Sequence, residues 1–320
     1  MNTQFATTEV SSVPVAKANK RQPQGLSHRE TAPIGYRGRW LFAVPALVLV
    51  AIFFLLPLSA NIPLSFANWT SYSSEITFNG LRNFQSLSNR GALMNAITFT
   101  LLFALIATLL QISVSLALAY AMRDSTLIAN SFFRSLFFLP VLVSPLAGGY
   151  IWLGILHPEG PLNAFISLFV PGFDWAWLGE RSTALPMLAL IDAWKASGIT
   201  TLVFIAGINS IPRELIQAAV VDGASGWQRF WWVIVPLLAP AFTFNIVITL
   251  IGSFGIYDLI MATTQGGPGS STRSINFLLR SQWGDGNFGA GSALGMALNL
   301  LIVATAIPLL WWLRSREVPN

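Results

Sequence analysis

The chain has 320 residues, 54% of them hydrophobic and only 10% charged, with a mean hydropathy of +0.62. A soluble domain carries roughly a quarter charged residues, so this composition describes an integral membrane protein. Cysteine is absent, which excludes disulfides and thiol-based metal or redox sites, and the net charge of +5 reads as topology information, with no nucleic-acid partner expected.

From the N-terminus, residues 1–38 are polar and basic. Lys17, Lys20, Arg21, Arg29 and Arg37 stand there against Glu9 and Glu30, and the segment reads as a disordered cytoplasmic tail. It is too long and too polar before the first apolar run for a secretory signal, so the first span reads as uncleaved. A helix needs about 20 apolar residues to cross the hydrocarbon core. Segments near 40–60, 93–120, 132–156, 184–210, 237–262 and 292–313 meet that length. They predict an all-α membrane domain of six spans over 39–313, followed by a cytoplasmic C-terminus at 314–320.

Lys and Arg fix the orientation. The tail, Arg123 with Arg134, Arg213 with Arg229, and Arg314 with Arg316 fall on one side. The fewer Arg82, Arg90, Arg181, Arg273 and Arg280 fall on the other. Both termini are therefore expected inside, with outer loops at 61–92, 157–183 and 263–291.

The connection after the fourth span, IPRELIQAAVVDGASGWQRFWWVIVPLLAP (211–240), is cytoplasmic in this topology. Pro212 and Glu214 suit a first helical turn. Gly223 suits a left-handed helix end, and Ser225 with Gln228 is a capping-box pattern for a second helix. Trp227, Phe230, Trp231 and Ile234 recur at helical spacing and form an apolar face for the membrane interface. The segment reads helix, glycine turn, helix, with Pro236 and Pro240 marking entry to the fifth span.

Several polar residues sit inside predicted spans, where they face either a neighbouring helix or a water-filled path. Asn245, Thr249 and Ser253 recur every four residues in the fifth span, and Tyr257 continues the stripe. Such groups suit hydrogen bonds to a hydroxyl-rich solute and stacking on its apolar face; each alone fits helix packing, and as a stripe they read as a path lining. Asp192 and Lys195 are one turn apart in the fourth span, with Trp194 between them. They read as a self-neutralised structural pair or as a polar lining. Pro140, Pro145, Gly148 and Gly149 interrupt the third span, either for close packing or as a flexing point.

Gln217, Ala218 and Ala219, then Asp222, Gly223 and Ala224, then Phe230 and Pro236 resemble the EAA loop of binding-protein-dependent ABC importer permeases. That loop has an E-A-A start and a D-G-A turn, followed by F, an apolar run and P. Gln217 departs from the usual Glu, keeping hydrogen-bonding capacity but losing charge. NGLRNF at 79–84 resembles a G-L-x-N-F/Y segment of the sugar permeases. Phe254, Asp258, Thr264, Gly266, Gly267, Pro268 and Thr272 resemble their F…D…T-x-G-G-P…T segment. Together these resemble the F-type permease of maltose transporters.

The resemblance implies a type I ABC importer permease core in a bacterial or archaeal cytoplasmic (inner) membrane, lying among membrane lipid, with 211–236 as the coupling segment. It also implies a second permease, two ATPase subunits, an extracytoplasmic solute-binding protein, and a sugar or oligosaccharide as cargo. A polyol or glycerol phosphate is the related alternative.

A P-loop needs a Gly-Lys pair. Lys17, Lys20 and Lys195 follow Ala16, Asn19 and Trp194. The chain is therefore expected to bind no cofactor and to be no enzyme, with ATP and Mg handled by a partner. One rival is an ion-coupled secondary transporter using Asp192 and Lys195. It would leave the EAA-like segment unexplained and predicts repeats that the sequence does not show. A membrane enzyme finds no support in His28 and His157, which belong to no spaced metal motif.

Overall fold

The computed structural model describes residues 42–122 and 127–317, without the side chains of 127–134. The predicted tail 1–38, Arg123 and the last three residues of the chain lie outside the described residues. The chain divides into two compact units, residues 1–52 and 53–320. The first holds α1 (Val44–Val50), and a π turn at Ala51–Leu55 follows it in the chain.

In the second unit, α2 (Leu56–Ser65) ends in a short antiparallel hairpin of β1 (Ala67–Asn68) and β2 (Thr77–Phe78). The pairing registers are Ala67 with Phe78 and Asn68 with Thr77, a small β element that the all-α expectation did not include. Then follow α3 (Arg82–Asn89), α4 (Ala92–Ala121), α5 (Leu127–Leu142), α6 (Pro145–Ile155), α7 (Pro161–Ser167) and α8 (Arg181–Ser210). The last group is α9 (Arg213–Val221), α10 (Gly226–Arg229), α11 (Val235–Leu237), α12 (Ala239–Phe254), α13 (Asp258–Ala262), α14 (Ile275–Gly284) and α15 (Phe288–Arg314).

Four helical segments among the described residues are long and apolar enough to cross a membrane: Val44–Ser65, α4, α8 and α15. The predicted third and fifth spans are not single straight helices. The third is broken, with Ser135–Leu142 and Pro145–Ile155 meeting at 108°. Pro140 and Pro145 cannot donate to the helical ladder, and Ser144 starts α6 afresh by accepting from the Ala147 amide at 3.2 Å. At the start of the predicted fifth span, Gly226–Leu237 meets α12 at 69°, with Pro240 in the first turn of α12. The span count is thus four, or up to six if each bent pair counts once.

The predicted fifth span also ends early. The Gly255 amide bonds the Gly252 carbonyl at 3.0 Å, and Tyr257 lies outside both α12 and α13, at φ −145°.

The bundle centres on α4 against α8, with α12 packed on both. Phe99, Phe103 and Ala107 of α4 meet Leu188 and Ile191 of α8, and with them Leu259 and Ile260 of α13. Toward the other end of the bundle, Ile112 and Ala119 meet Phe204, Ile208, Ile211, Ile234 and Leu238. A third cluster ties α3, α4, α14 and α15 through Leu87, Ala96, Ile275, Leu278 and Leu294. Glycine permits the closest approaches. A Cβ on Gly198 would stand 2.8 Å from the Phe137 carbonyl, and one on Gly149 would stand 2.6 Å from the Ala262 Cβ.

The sequence segments singled out beside the spans fold as structural clamps. Asn83 donates from Nδ2 to the Ser65 and Ala67 carbonyls, both at 2.9 Å, which ties α3 to the end of α2. Thr272 donates to the Gly267 carbonyl at 2.6 Å, and its hydroxyl lies 2.7 Å from that of Thr264. Ser274 reaches back to the Ile256 carbonyl at 2.8 Å. These bonds satisfy backbone groups that the chain leaves open where it turns at Gly266 (φ +85°).

Candidate functional site

The connection from α8 to α12 is built as the sequence pattern requires, with one shift. Pro212 is the cap residue (φ −56°, ψ 130°), so α9 begins at Arg213 rather than with Pro212 in its first turn. Glu214 lies in that first turn, favourably placed against the helix dipole. The C-terminus of α9 is closed by two backbone bonds. Ala224 donates to Ala219 at 2.9 Å and Gly223 donates to Val220 at 3.0 Å, around Gly223 at φ +79°. This is a Schellman closure.

Ser225 then caps α10. Its hydroxyl accepts from the Gln228 amide at 3.3 Å, and the Gln228 side chain accepts from the Ser225 amide at 2.8 Å. Two short helices are therefore locked into one bent unit by local bonds alone.

This unit grips the bundle through few side chains. Ile216 of α9 packs on the cluster of Ile112, Phe204 and Ile208, and Phe230 and Ile234 are buried beyond α10. The Phe230 ring sits 4.6 Å from that of Tyr120 at the end of α4. Burying Phe230 and Ile234 contributes roughly 1.5–3 kcal/mol each. The aromatic face predicted from spacing therefore divides. Phe230 and Ile234 face the protein, while Trp227 is 71% exposed and packs edge-on against Trp231 at 5.5 Å.

No residue of α9 is buried. Gln217, Ala218, Asp222 and Gly223 are exposed, Ala219 and Ala224 are half-buried, and Val221 is 87% exposed.

Beyond Phe230 the chain forms a π turn to Ile234 and enters α11. Pro236 has no N–H for the Trp232 carbonyl, so the ladder shifts there, as it does before Pro57 in α2. At the elbow between α11 and α12, Leu238 is 1% exposed, and it packs against Gly207 of α8. Sequence reasoning missed this anchor. Its only trace is a leucine framed by Pro236 and Pro240.

The proposed path residues are less uniform. Asn245, Thr249 and Ser253 share one face of α12, as the spacing requires, and all three are buried within the subunit. Asn245 donates to the Thr200 carbonyl at 3.3 Å, while the Thr249 hydroxyl has no hydrogen-bond partner among the described residues. The same seam holds Gln111, which donates to the Thr200 hydroxyl at 2.6 Å, and Ser115, which donates to the Ser197 carbonyl at 3.0 Å. Of the two readings open for the stripe, helix packing is the one that this geometry supplies with partners. Gln111, a polar residue deep in a predicted span, was the signal overlooked.

Tyr257 leaves the stripe. Its ring lies 6.0 Å from Phe277 and under the Arg280 guanidinium at 4.6 Å.

Asp192 and Lys195 are half-buried on α8. No hydrogen bond or ion pair joins the two side chains among the described residues. Trp194 stands edge-on to Trp152 of α6 at 5.5 Å. It lines a cavity of about 370 Å³ beside the bend at Pro140 and Val143. The break in the third span and the fourth-span aromatic therefore meet at one place, where a Cβ on Gly148 would stand 3.9 Å from the Trp194 ring.

Comparison with known proteins follows this geometry. A family model described as binding-protein-dependent transport system inner membrane component matches residues 114–313. The probable starch degradation products transport system permease protein AmyD of Thermoanaerobacterium thermosulfurigenes is 32% identical over 287 residues, covering 87% of this chain and 94% of that protein. The sn-glycerol-3-phosphate transport system permease protein UgpA of Brucella abortus is 32% identical over 270 residues, covering 83% and 90%. Among solved structures, a bacterial ABC transporter involved in the import of the acidic polysaccharide alginate superposes with a TM-score of 0.74. It is 19% identical and covers 87% of this chain and 96% of the other. A second structure of an alginate ABC transporter, in complex with an alginate pentasaccharide-bound periplasmic protein, superposes with a TM-score of 0.73.

Proposed function

This chain belongs to the family of binding-protein-dependent transport system inner membrane components, and on that premise we propose that it is the permease subunit of an ATP-driven importer for a sugar or oligosaccharide. The observation that carries the coupling role is α9. It is a nine-residue helix between membrane helices, closed at its end by backbone bonds, with no residue buried in its own subunit. A helix ordered by local bonds and left open on its surface fits a docking element for a separate ATPase.

In this reading the ATPase cleft receives Gln217, Ala218 and Ala219, with Asp222, Gly223 and Ala224 holding the turn. Closure of the ATPase dimer on ATP moves α9 and α10 as one body. The motion reaches α8 through Ile211 and α12 through the Leu238 elbow, and the bends near Val143 and Leu238 open or close the path. Asp192, Trp194 and Lys195, beside the broken third span, line that path. The stripe of Asn245, Thr249 and Ser253 extends it if the helices separate, and Tyr257 stands at its outer end.

The complex contains a second permease, two ATPase subunits that bind ATP and Mg, and an extracytoplasmic solute-binding protein. The chain itself holds no cofactor, and both termini are cytoplasmic. A binding-protein-dependent family favours this reading over an ion-coupled one, and the names of AmyD and UgpA keep both sugar and glycerol phosphate among the cargo classes.

The test is reconstitution of the assembled complex in proteoliposomes, with uptake of labelled maltotriose, raffinose and sn-glycerol 3-phosphate followed with and without ATP. ATP-dependent uptake that requires this chain supports the proposal. Uptake driven by an ion gradient without ATP would overturn it.

A further inference from the structure

We infer that the face carrying the outer loops holds a saccharide-binding groove separate from the path through the helices. The inference rests on the sugar-import reading above. Residues brought together from β1 and the chain after it, the ends of α3 and α14, the first turn of α4 and the loop before α14 enclose a cavity of about 540 Å³. That volume lies within the range of small-molecule sites. Its wall carries Trp69, Arg90, Asn95, Arg273, Gln282 and Asp285. A neighbouring cavity of about 300 Å³ shares Asn95 and Ser270 with it and adds Arg181, so the two form a two-lobed depression.

The chemistry of the wall separates it from a structural crevice. Nearby polar side chains are engaged: Asn83 clamps two carbonyls, and Thr272 and Ser274 each bond backbone. The side chains of Arg90, Asn95, Arg273, Gln282 and Asp285 make no hydrogen bond or ion pair among the described residues. Neither Arg90 nor Arg273 neutralises Asp285.

The floor beneath them is fixed. Leu87 and Leu278 line the cavity and belong to the buried cluster with Ile275 and Leu294. Gly289 lets α15 approach β1 so closely that a Cβ there would strike the Ala67 carbonyl. A rigid cup with free donors and acceptors is preorganised for a ligand.

Each sugar hydroxyl both donates and accepts, so a sugar needs guanidinium donors, a carboxylate acceptor and amides together. Indole supplies an apolar plane for a sugar face, and Trp69 is held in place by Phe288 at 4.8 Å. A simple inorganic anion could meet the arginines but would leave the Asp285 carboxylate and the Trp69 ring without a partner. The positive excess of Arg90, Arg181 and Arg273 over Asp285 disfavours a cationic ligand. Two lobes call for two or more sugar units. The ligand class is therefore a neutral or acidic oligosaccharide.

The experiment uses the assembled permease complex without its solute-binding protein, titrated by calorimetry with maltotriose, trigalacturonate and triglucosamine. Saturable binding of maltotriose or trigalacturonate, and none of triglucosamine, is expected. Gln282→Leu and the double variant Arg90→Ala/Asp285→Ala should each weaken that binding at least tenfold. Binding unchanged in the outer variants would overturn the groove and leave the importer reading intact. Outer variants that weaken only association of the solute-binding protein would overturn it in favour of a protein-docking surface. A parent complex that imports no saccharide would overturn the importer reading and this inference together.

Discussion

The amide of Ala224 donates to the carbonyl of Ala219 at 2.9 Å, and Gly223 between them stands at φ +79°. This closure turns the chain from α9 into α10 without help from the bundle. No atom lies within 4 Å of where a Cβ on Gly223 would be. The requirement there is backbone conformation and not space. A left-handed L-residue costs about 1–2 kcal/mol, more if β-branched and least for Asn. Gly223→Val should therefore lower substrate-stimulated ATPase activity severalfold in proteoliposomes, while Gly223→Asn stays within about twofold of the parent. Equal activity of both variants would remove the turn from the coupling mechanism.

The elbow at Leu238 makes a second prediction. A Cβ on Gly207 would stand 2.8 Å from the Leu238 Cδ2 and 3.1 Å from the Ala241 Cβ. Gly207→Ala therefore overpacks the seam between α8 and α12, at a cost of about 1–3 kcal/mol. A lower Tm of the detergent-solubilised protein is expected. Adding Leu238→Val shortens one of the two clashing side chains and should recover part of the loss. A double variant whose loss equals the sum of the two single losses would show that the two residues do not meet.

The stripe on α12 separates packing from transport. The Thr249 hydroxyl is buried without a partner, so Thr249→Val removes an unsatisfied group at nearly constant shape. Stability should stay level or rise. Asn245→Leu loses one bond of 3.3 Å to a carbonyl that is already within a helix, a loss of about 1 kcal/mol. Thermal unfolding together with uptake of several solutes checks both. Unchanged solute preference confirms a packing role, and a shifted preference with unchanged stability would place the stripe on the path.

Local features were legible because local chemistry decides them. The Gly223 turn and the Ser225–Gln228 box follow from residue types at fixed offsets, and both formed. Apolar length found α4, α8 and α15. It could not find the 108° break near Val143, since composition stays apolar through the bend and only Pro140 and Pro145 mark it. Period alone placed Asn245, Thr249 and Ser253 on one face but could not say whether that face meets water or a helix. That depends on α4 and α8, distant in sequence. The Gly207–Leu238 contact was hidden for the same reason. Tyr257 was carried along by the count of four, which Gly255 interrupts.

The last prediction concerns what α9 touches. Ala218 is exposed, near the middle of a helix with no fully buried residue, and its small side chain lets a cleft wall come close. The chain has no cysteine, so Ala218→Cys supplies its only thiol. Ala has the highest helix propensity, and the change costs less than about 1 kcal/mol at an exposed site. Single cysteines around the cleft of the partner ATPase should crosslink to it under mild oxidation, with a yield that changes between nucleotide-free and ATP-bound states. Ser74→Cys, on the exposed chain between β1 and β2, lies on the other side of the membrane in this topology and should not crosslink to any of them. A complex that transports normally while Ala218→Cys never crosslinks would move the contact away from this face of α9. Crosslinking of Ser74→Cys in its place would invert the topology that the arginines predict.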